Sequence, residues 1–376
     1  MTERRRKVIE EDSTPESSSV VDQVRSRAYT PNQERVEFID TGSILLNLAS
    51  SQRARDGGWA RGRIVNLVGD GSTGKTLLAL EAAAQVHYHI KERKSKRFPR
   101  VANVEIVYWN KEAVMDFPLE TMYGKSLVKA IDWSKRCQTA EEWGRDVIRK
   151  VESHKSGTCF LGILDSIDSL GTEGGQARLA KSVKSDSPMD STYGSGTERA
   201  KFFSADFFNN LCSEMQGKDF TLILISQVRD RINAGMFEKK QYRAGGKALD
   251  FYTHQVAWLS SAGKLRKEYD KEKRVYGITI RALFERSKVA PPFRQAEVDI
   301  LFDYGIDNIG SMAQFLSAER IQKAFEGQRI SREELIRMAD ESFHSDRKIY
   351  DKLVDAVESY WQEIEENTKV ARLPRF

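Results

Sequence analysis

A glycine-rich loop near the middle of the N-terminal half carries the clearest chemical signal in the sequence. It consists of Gly69, Asp70, Gly71, Ser72, Thr73, Gly74, Lys75 and Thr76. This spacing fits G-x-x-x-x-G-K-[ST], in which glycines let backbone N–H groups turn toward phosphates that a Cβ would obstruct. Lys75 is expected to neutralise the β- and γ-phosphates, and the Thr76 hydroxyl is expected to bind Mg²⁺. The loop therefore predicts a nucleoside triphosphate site.

The segments on either side of the loop are of the kind that such a loop requires. Ile64, Val65, Leu67 and Val68 form a short apolar run typical of a buried strand. Residues 77–86 continue as a helix, whose N-terminal dipole favours phosphate charge. Strand, loop and helix occur in the required order, so a glycine-rich turn without a ligand is the weaker interpretation.

Two carboxylates follow further apolar strands. Residues 104–109 read as a buried strand that leads to Glu112, and residues 160–164 read as another that is closed by Asp165. A carboxylate just past a strand end beside a phosphate loop is well placed as a general base, which is the position of Glu112. Asp165 matches the Walker B pattern and would hold Mg²⁺ through its water shell.

Composition narrows the class of protein. The chain has 376 residues, 40% of them hydrophobic, with 60 Lys and Arg against 55 Asp and Glu. This mild basic excess does not by itself argue for nucleic acid. No apolar run approaches a membrane span, and the N-terminus lacks the apolar core of a secretory signal, so a cytoplasmic protein is expected. Cys137, Cys159 and Cys212 are predicted to be free buried thiols.

Strands that alternate with helices predict an α/β fold with a mostly parallel sheet and helices on both faces. Later strands are expected to form antiparallel hairpins at one edge. The sequence predicts three regions: a flexible arm over residues 1–35, the sheet-containing core over residues 36–310 and a small helical C-terminal subdomain over residues 311–376. Capping boxes at Thr139 and Ser331 predict two helix starts.

Two segments read as irregular loops with scattered basic residues. The first runs from Gly171 to Gly196 and is followed by a helix over residues 197–215. The second runs from Val228 to Ala244 and combines five basic residues with Met236 and Phe237. Basic residues interleaved with apolar wedges suit a DNA backbone and insertion between bases. A solvated loop is the alternative for the second segment, whereas the length of the first indicates a functional or disordered segment.

With these segments in place, residues from about Ile39 to Ile309 resemble the RecA recombinase family, particularly its bacteriophage members of the UvsX type. The resemblance rests on six blocks: DTGS at 40–43, GRIV at 62–65, LDS at 164–166, ISQVR at 225–229, GGKALDFY at 245–252 and KVAPPFRQAE at 288–297. It implies a RecA-like P-loop ATPase core.

The resemblance also implies roles for individual positions. Glu112 would polarise the attacking water, Gln227 would sense the γ-phosphate and Asp116 would lie against the adenine. Arg286 and Lys288 would reach the nucleotide of a neighbouring subunit. The two basic segments and their flanks would line the DNA path through Arg178, Lys181, Lys184, Lys201, Arg229, Arg231, Met236, Phe237, Lys239, Lys240, Arg243, Gly245 and Gly246.

Together these features predict an ATP- and Mg²⁺-dependent homologous DNA recombinase. It would polymerise as a helical homo-oligomer on single-stranded DNA and exchange strands with duplex DNA, in the bacterial host cytosol if it is encoded by a phage. One alternative is a hexameric RecA-fold helicase or translocase, which the 288–297 block disfavours. Another is a non-hydrolysing DNA-coating recombination mediator, which the intact Lys75, Thr76, Glu112 and Asp165 disfavour.

Overall fold

The structure is a computed structural model of the full chain. It describes residues 36–92, 97–98, 100–112, 118–134, 136–186, 195–230, 241–243 and 246–370. The predicted arm over residues 1–35 lies outside these ranges. Residues 37–376 form one compact unit.

Twelve strands are present in the described part of the chain: β1 (Phe38–Ile39), β2 (Trp59–Ala60), β3 (Ile64–Gly69), β4 (Asn103–Asn110), β5 (Ile131–Asp132), β6 (Thr158–Asp165), β7 (Phe220–Asp230), β8 (Gln241–Arg243), β9 (Gln255–Tyr269), β10 (Glu272–Ser287), β11 (Arg294–Leu301) and β12 (Gly305–Asp307).

The α-helices of the same residues are α1 (Ile44–Ser51), α2 (Lys75–His87), α3 (Leu119–Ala130), α4 (Ala140–Glu152), α5 (Glu173–Ser185), α6 (Ser195–Lys201), α7 (Phe208–Glu214), α8 (Gly246–Tyr252), α9 (Asn308–Phe315), α10 (Ala318–Ala324), α11 (Arg332–Phe343) and α12 (Lys348–Thr368).

The main sheet confirms the predicted α/β architecture. Its strands lie in the order β12-β11-β10-β9-β3-β7-β6-β4-β5, and β8 pairs with the end of β7. The pairings from β5 through β4, β6, β7 and β3 to β9 are parallel. The pairings from β9 through β10 and β11 to β12 are antiparallel. The antiparallel strands therefore form one side of the sheet, as the sequence predicts.

Side chains that alternate along β7 divide the core into two layers. Ile223 and Ile225 pack on one face with α1 and α2, whereas Leu222 and Leu224 pack on the other with Trp143 of α4. Both faces are buried because helices cover each side of a parallel sheet. Replacing one of these buried aliphatic side chains with alanine costs roughly 2–5 kcal/mol.

The C-terminal helices belong to the first of these layers. Met312, Leu335 and Leu353 lie in the same apolar core as Leu46 of α1. The change from strands to helices occurs at Asn308. Among the helices that the structure describes, none combines the length and the apolar character of a membrane span.

Both predicted helix starts are confirmed, each with a side-chain N-cap. Thr139 Oγ1 accepts the Glu142 N–H at 3.1 Å, and the Glu142 carboxylate accepts the Gln138 N–H at 2.7 Å. Ser331 Oγ accepts the Glu334 N–H at 3.2 Å at the start of α11. Each cap satisfies backbone donors that the first turn of a helix leaves unpaired.

The described part of the first predicted irregular loop is largely a helix. Within the predicted loop from Gly171 to Gly196, α5 begins after Thr172, whose hydroxyl accepts the Gly175 N–H at 3.0 Å. None of the residues of α5 is buried, and Leu179 and Val183 are 55% and 74% exposed. Without a buried face, the helix lacks the apolar periodicity from which sequence patterns predict helices.

The second predicted loop is partly a hairpin. β7 continues past the phosphate-loop edge to Asp230, and β8 returns antiparallel beside it, with Val228 opposite Arg243 and Asp230 opposite Gln241. Residues 231–240 and 244–245 lie outside the described part of the chain. The prediction of an irregular segment is therefore wrong at the two ends of this region.

Candidate nucleotide site and basic hairpin

The carboxyl ends of neighbouring parallel strands bring the predicted site residues to one edge of the sheet. β3 ends at Gly69, which lies opposite Gln227 of β7. β4 ends at Asn110, which lies opposite Asp165 at the end of β6. Ligands bind at this edge in open α/β sheets because the loops that follow the strands converge there.

The conformation of the phosphate loop matches its predicted task. Ser72 and Gly74 have positive φ angles of 59° and 80°. A Cβ on Gly69 would lie 2.6 Å from Thr73 Oγ1, so glycine is required there by close packing. A Cβ on Gly71 would meet no atom within 4 Å, which places open space beside the loop.

Lys75 already points back across this loop. Its Nζ donates to the Asp70 carbonyl oxygen at 2.6 Å. Burial lowers the pKa of Lys75, and the nearby carboxylates of Asp165 and Glu112 oppose that shift. An ammonium held over the loop by a carbonyl is suited to meet a polyphosphate without a large rearrangement.

Beside the lysine, two hydroxyls converge on one carboxylate oxygen. Thr76 Oγ1 and Tyr108 Oη each donate to Asp165 Oδ2 at 2.7 Å. Burial raises the pKa of Asp165, and both hydrogen bonds oppose that shift by stabilising the carboxylate. A hydroxyl and a carboxylate at the helix start form the oxygen donor set that Mg²⁺ prefers, so these residues fit the predicted metal.

A second contact joins the predicted base to the predicted sensor. Gln227 Nε2 donates to Glu112 Oε1 at 2.8 Å, and both side chains are exposed at the edge of the sheet. The backbone N–H of Gln227 donates to Asp168 Oδ2 at 2.7 Å. The structure thus places Glu112 and Gln227 together on the same side of the phosphate loop.

Three further residues belong to this site although no sequence pattern singles them out. Tyr108 is a buried strand residue that contacts Asp165, as described above. Asp168 lies in the one-turn 3₁₀ helix Ile167–Ser169, and its carboxylate also lies 3.6 Å from Nε of Arg229. Arg199 is buried and donates to the carbonyl oxygens of Asp168 and Leu170 at 2.9 and 2.6 Å.

Arg243 is placed differently from the other predicted DNA contacts. Its side chain is 6% exposed, and its guanidinium donates to Asn66 Oδ1 and, at 2.6 Å, to Asp250 Oδ1. Burial lowers the pKa of Arg243, and Asp250 opposes that shift. This guanidinium is engaged inside the protein, so its position corrects the predicted DNA contact.

The basic residues of the first segment and its flank are at the surface. Arg178 forms an ion pair with Glu198 at 2.5 Å, and this hydrogen bond lowers the pKa of Glu198 to about 2. Lys181 and Lys184 are exposed on α5, and Lys201 is exposed at the end of α6. These side chains are accessible to a polyanion, although Arg178 would have to bind it while paired with Glu198 or leave that ion pair.

Arg286 and Lys288 contact neighbouring residues at the end of α8. Arg286 Nη1 donates to the Asp250 carbonyl oxygen, and Lys288 Nζ donates to that of Phe251 at 2.5 Å. These carbonyls belong to the last turn of α8, where the helix dipole favours cations. Phe251 itself is 67% exposed, so the pair borders an open surface.

Several predicted positions cannot be placed in this geometry. Gly246 is the first residue of α8. The others lie outside the described residues, and their roles stay predictions: Asp116, Arg231, Met236, Phe237, Lys239, Lys240 and Gly245.

Known proteins are similar to this chain in sequence. A family profile described as the RecA N-terminal domain matches residues 156–307, which include Asp165, Gln227 and Lys288. Protein RecA of a Nitratiruptor species is 29% identical over 283 residues, or 75% of this chain and 71% of that protein. This chain is similar to the RecA family.

Two other RecA proteins have a similar sequence identity to this chain. Protein RecA of Treponema denticola is 30% identical over 74% of this chain and 58% of its own length. Protein RecA of Lactococcus lactis subsp. cremoris is 28% identical over 77% of this chain and 66% of its own length. The chain therefore spans between 58% and 71% of the length of these RecA proteins. The particular closeness to phage members stays a prediction.

Proposed function

We propose that this protein is a DNA-dependent ATPase that forms a filament on single-stranded DNA and promotes homologous strand exchange. The observation that carries the proposal is the position of Gln227 on β7. Its side chain contacts Glu112 beside the phosphate loop. Two residues further along the same strand, Arg229 lies in the hairpin that the end of β7 forms with β8, which we call the basic hairpin. One strand therefore connects the nucleotide site to the exposed Arg229 and to the segment that is predicted to bind DNA.

In the proposed hydrolysis, each residue acts on ATP through a contact that its position supports. Lys75 would neutralise the β- and γ-phosphates, and Thr76 and Asp165 would hold Mg²⁺ at the start of α2. The metal would supply charge neutralisation between the phosphates. Glu112 would orient and polarise the attacking water. This role needs an exposed carboxylate at the rim of the site, which is where Glu112 lies.

Gln227 would report on the γ-phosphate. In the present geometry its amide is bonded to Glu112, so a γ-phosphate that accepts this N–H would exchange one partner for another. Such an exchange shifts a side chain at the base of the β7–β8 hairpin. Loss of the phosphate after hydrolysis would reverse the exchange and weaken the hold on DNA.

A neighbouring subunit would complete the site. Arg286 and Lys288 are exposed at the end of α8, where each donates to a backbone carbonyl, and both would turn to the ATP of the adjacent subunit. Two cations on a triphosphate stabilise the charge of the transition state. Hydrolysis would then depend on assembly, and single-stranded DNA would stimulate it by aligning subunits.

The test combines ATP turnover with strand exchange between a circular single strand and a homologous linear duplex. The recombinase proposal predicts turnover that rises with single-stranded DNA and joint molecules that require ATP. Unwinding of a forked duplex without joint molecules would instead identify a helicase or translocase. DNA coating without turnover would identify a mediator. Protein with Lys75→Ala is the control for contaminating ATPase.

The remaining expectations follow from this activity. Duplex DNA would be the second nucleic-acid partner, and the protein would act in the cytoplasm, in the host cytosol if a phage encodes it. Electron microscopy with single-stranded DNA and a slowly hydrolysed ATP analogue distinguishes a helical filament from a ring. A ring would contradict the filament proposal.

A further inference from the structure

Asp168 is a buried carboxylate between the nucleotide site and the basic hairpin. Its side chain is 4% exposed. One oxygen, Oδ2, accepts the backbone N–H of Gln227 at 2.7 Å. The other, Oδ1, is buried, makes no hydrogen bond within the described part of the chain and lies 3.6 Å from Nε of Arg229.

The path of β7 explains why Gln227 needs this carboxylate. β6 pairs with β7 only as far as Leu164 opposite Leu224, and it ends at Asp165. Beyond that point, β6 no longer supplies a backbone acceptor for the N–H of Gln227. Asp168 supplies a charged acceptor in its place, and such hydrogen bonds are stronger than those between neutral groups.

Arg199 holds the 3₁₀ turn that orients the Asp168 carboxylate. Its guanidinium is buried and donates to the carbonyl oxygens of Asp168 and Leu170, which flank the end of the 3₁₀ turn. A buried carboxylate is costly unless cations and donors surround it. Arg199 supplies a permanent positive charge from one side, whereas Arg229 is 49% exposed and reaches solvent on the other.

We propose that Asp168 is a positioning residue that couples the γ-phosphate sensor Gln227 to the DNA-facing Arg229. The inference rests on the proposed function. Because one carboxylate holds the backbone of residue 227 and attracts the side chain of residue 229, a ligand that moves either residue changes the position favoured by the other. A DNA phosphate would compete with Asp168 for Arg229, since their separation of 3.6 Å exceeds a hydrogen bond.

This coupling is reciprocal: ATP raises DNA affinity by the same factor as DNA raises ATP affinity. The measured quantity is therefore the ratio of single-stranded DNA dissociation constants with ADP and with a slowly hydrolysed ATP analogue. A hydrogen bond to a charged group is worth enough to change such a ratio by about tenfold. Asp168→Ala should lower the ratio toward one by that amount.

Asp168→Asn is the sharper variant because it keeps the shape and one oxygen for the Gln227 N–H but removes the charge that attracts Arg229. It should lower the ratio partially. Ser169→Ala is the matched control: within the described residues it removes the contact between Ser169 Oγ and Ser166 Oγ at 3.0 Å, and it should leave the ratio unchanged.

A double-mutant cycle identifies the partner. In an Arg229→Gln background, Asp168→Asn should have little further effect on the ratio, because the charge interaction is already absent. Full additivity of the two changes would overturn the inference, and so would an unchanged ratio in Asp168→Asn or an equal loss of DNA affinity with both nucleotides. If the unmodified protein itself gave a ratio of one, the proposed function would fail first.

Discussion

Tyr108→Phe removes one of the two hydroxyls that stabilise the Asp165 carboxylate. Tyr108 Oη donates to Asp165 Oδ2 at 2.7 Å in a buried setting, where no bulk water replaces it. A hydrogen bond to a charged group is worth about 1.5–3 kcal/mol. The pKa of Asp165, already raised by burial, should therefore rise further, because the ionised carboxylate loses one of its two hydroxyl donors.

The direction of the pH effect follows from the protonation state of Asp165 that loses its hydrogen bond in Tyr108→Phe. The hydroxyl stabilises the ionised carboxylate, so the variant should lose most unfolding free energy at alkaline pH. The difference from the unmodified protein should shrink as the pH falls through the pKa of Asp165. Because Mg²⁺ prefers the ionised carboxylate, the acid limb of Mg²⁺-dependent nucleotide binding should move to higher pH by the same amount.

The assay is a titration with a slowly hydrolysed ATP analogue, with and without Mg²⁺, across acidic to alkaline pH. Tyr269→Phe is the matched control, because Tyr269 is 87% exposed at the β9–β10 turn. If the acid limb of Mg²⁺-dependent nucleotide binding were the same in Tyr108→Phe and in the control, the assignment of Asp165 as a Mg²⁺ ligand would be refuted.

Two other pairs of variants follow from the same geometry. Lys75→Ala should abolish nucleotide binding, whereas Glu112→Gln should keep binding and lose about a hundredfold or more in turnover; equal losses of affinity in equilibrium titrations would remove Glu112 from the role of base. Arg229→Gln should reduce the salt dependence of single-strand binding by about 0.7 in log–log slope for one lost phosphate contact. Arg243→Met should leave that slope unchanged and lower the unfolding free energy by about 1–3 kcal/mol, measured by urea denaturation; a reduced slope would return Arg243 to the DNA path.

Local patterns predicted the parts of the site that depend on local structure. The phosphate loop needs glycines at fixed offsets between a strand and a helix, and residues 69–76 satisfy this within one continuous segment. Asp165 follows a fully apolar strand, so its position at the sheet edge also follows from the chain alone. The family resemblance implies roles for Glu112 and Gln227 at the γ-phosphate, but their contact was not predicted, because 115 residues separate them.

Features that depend on tertiary packing escaped prediction. Helix α5 has no buried residue, so its sequence has no apolar stripe to reveal it. Arg243 stands in a basic run that resembles a solvated or DNA-binding loop, yet the pairing of β8 with β7 turns it toward Asp250. Asp168 accepts the Gln227 N–H because β6 ends before β7 does. No spacing in the sequence predicts that difference in strand length.

The central claim is that ATP is hydrolysed at sites shared between subunits aligned on single-stranded DNA. The most direct measurement mixes Glu112→Gln subunits with subunits that carry Arg286→Ala and Lys288→Ala, each nearly inactive alone. At some junctions an intact Glu112 would face an intact basic pair, so the mixture should recover part of the DNA-dependent turnover. No recovery, in a mixture shown to co-assemble, would contradict the account and place the complete site within one subunit.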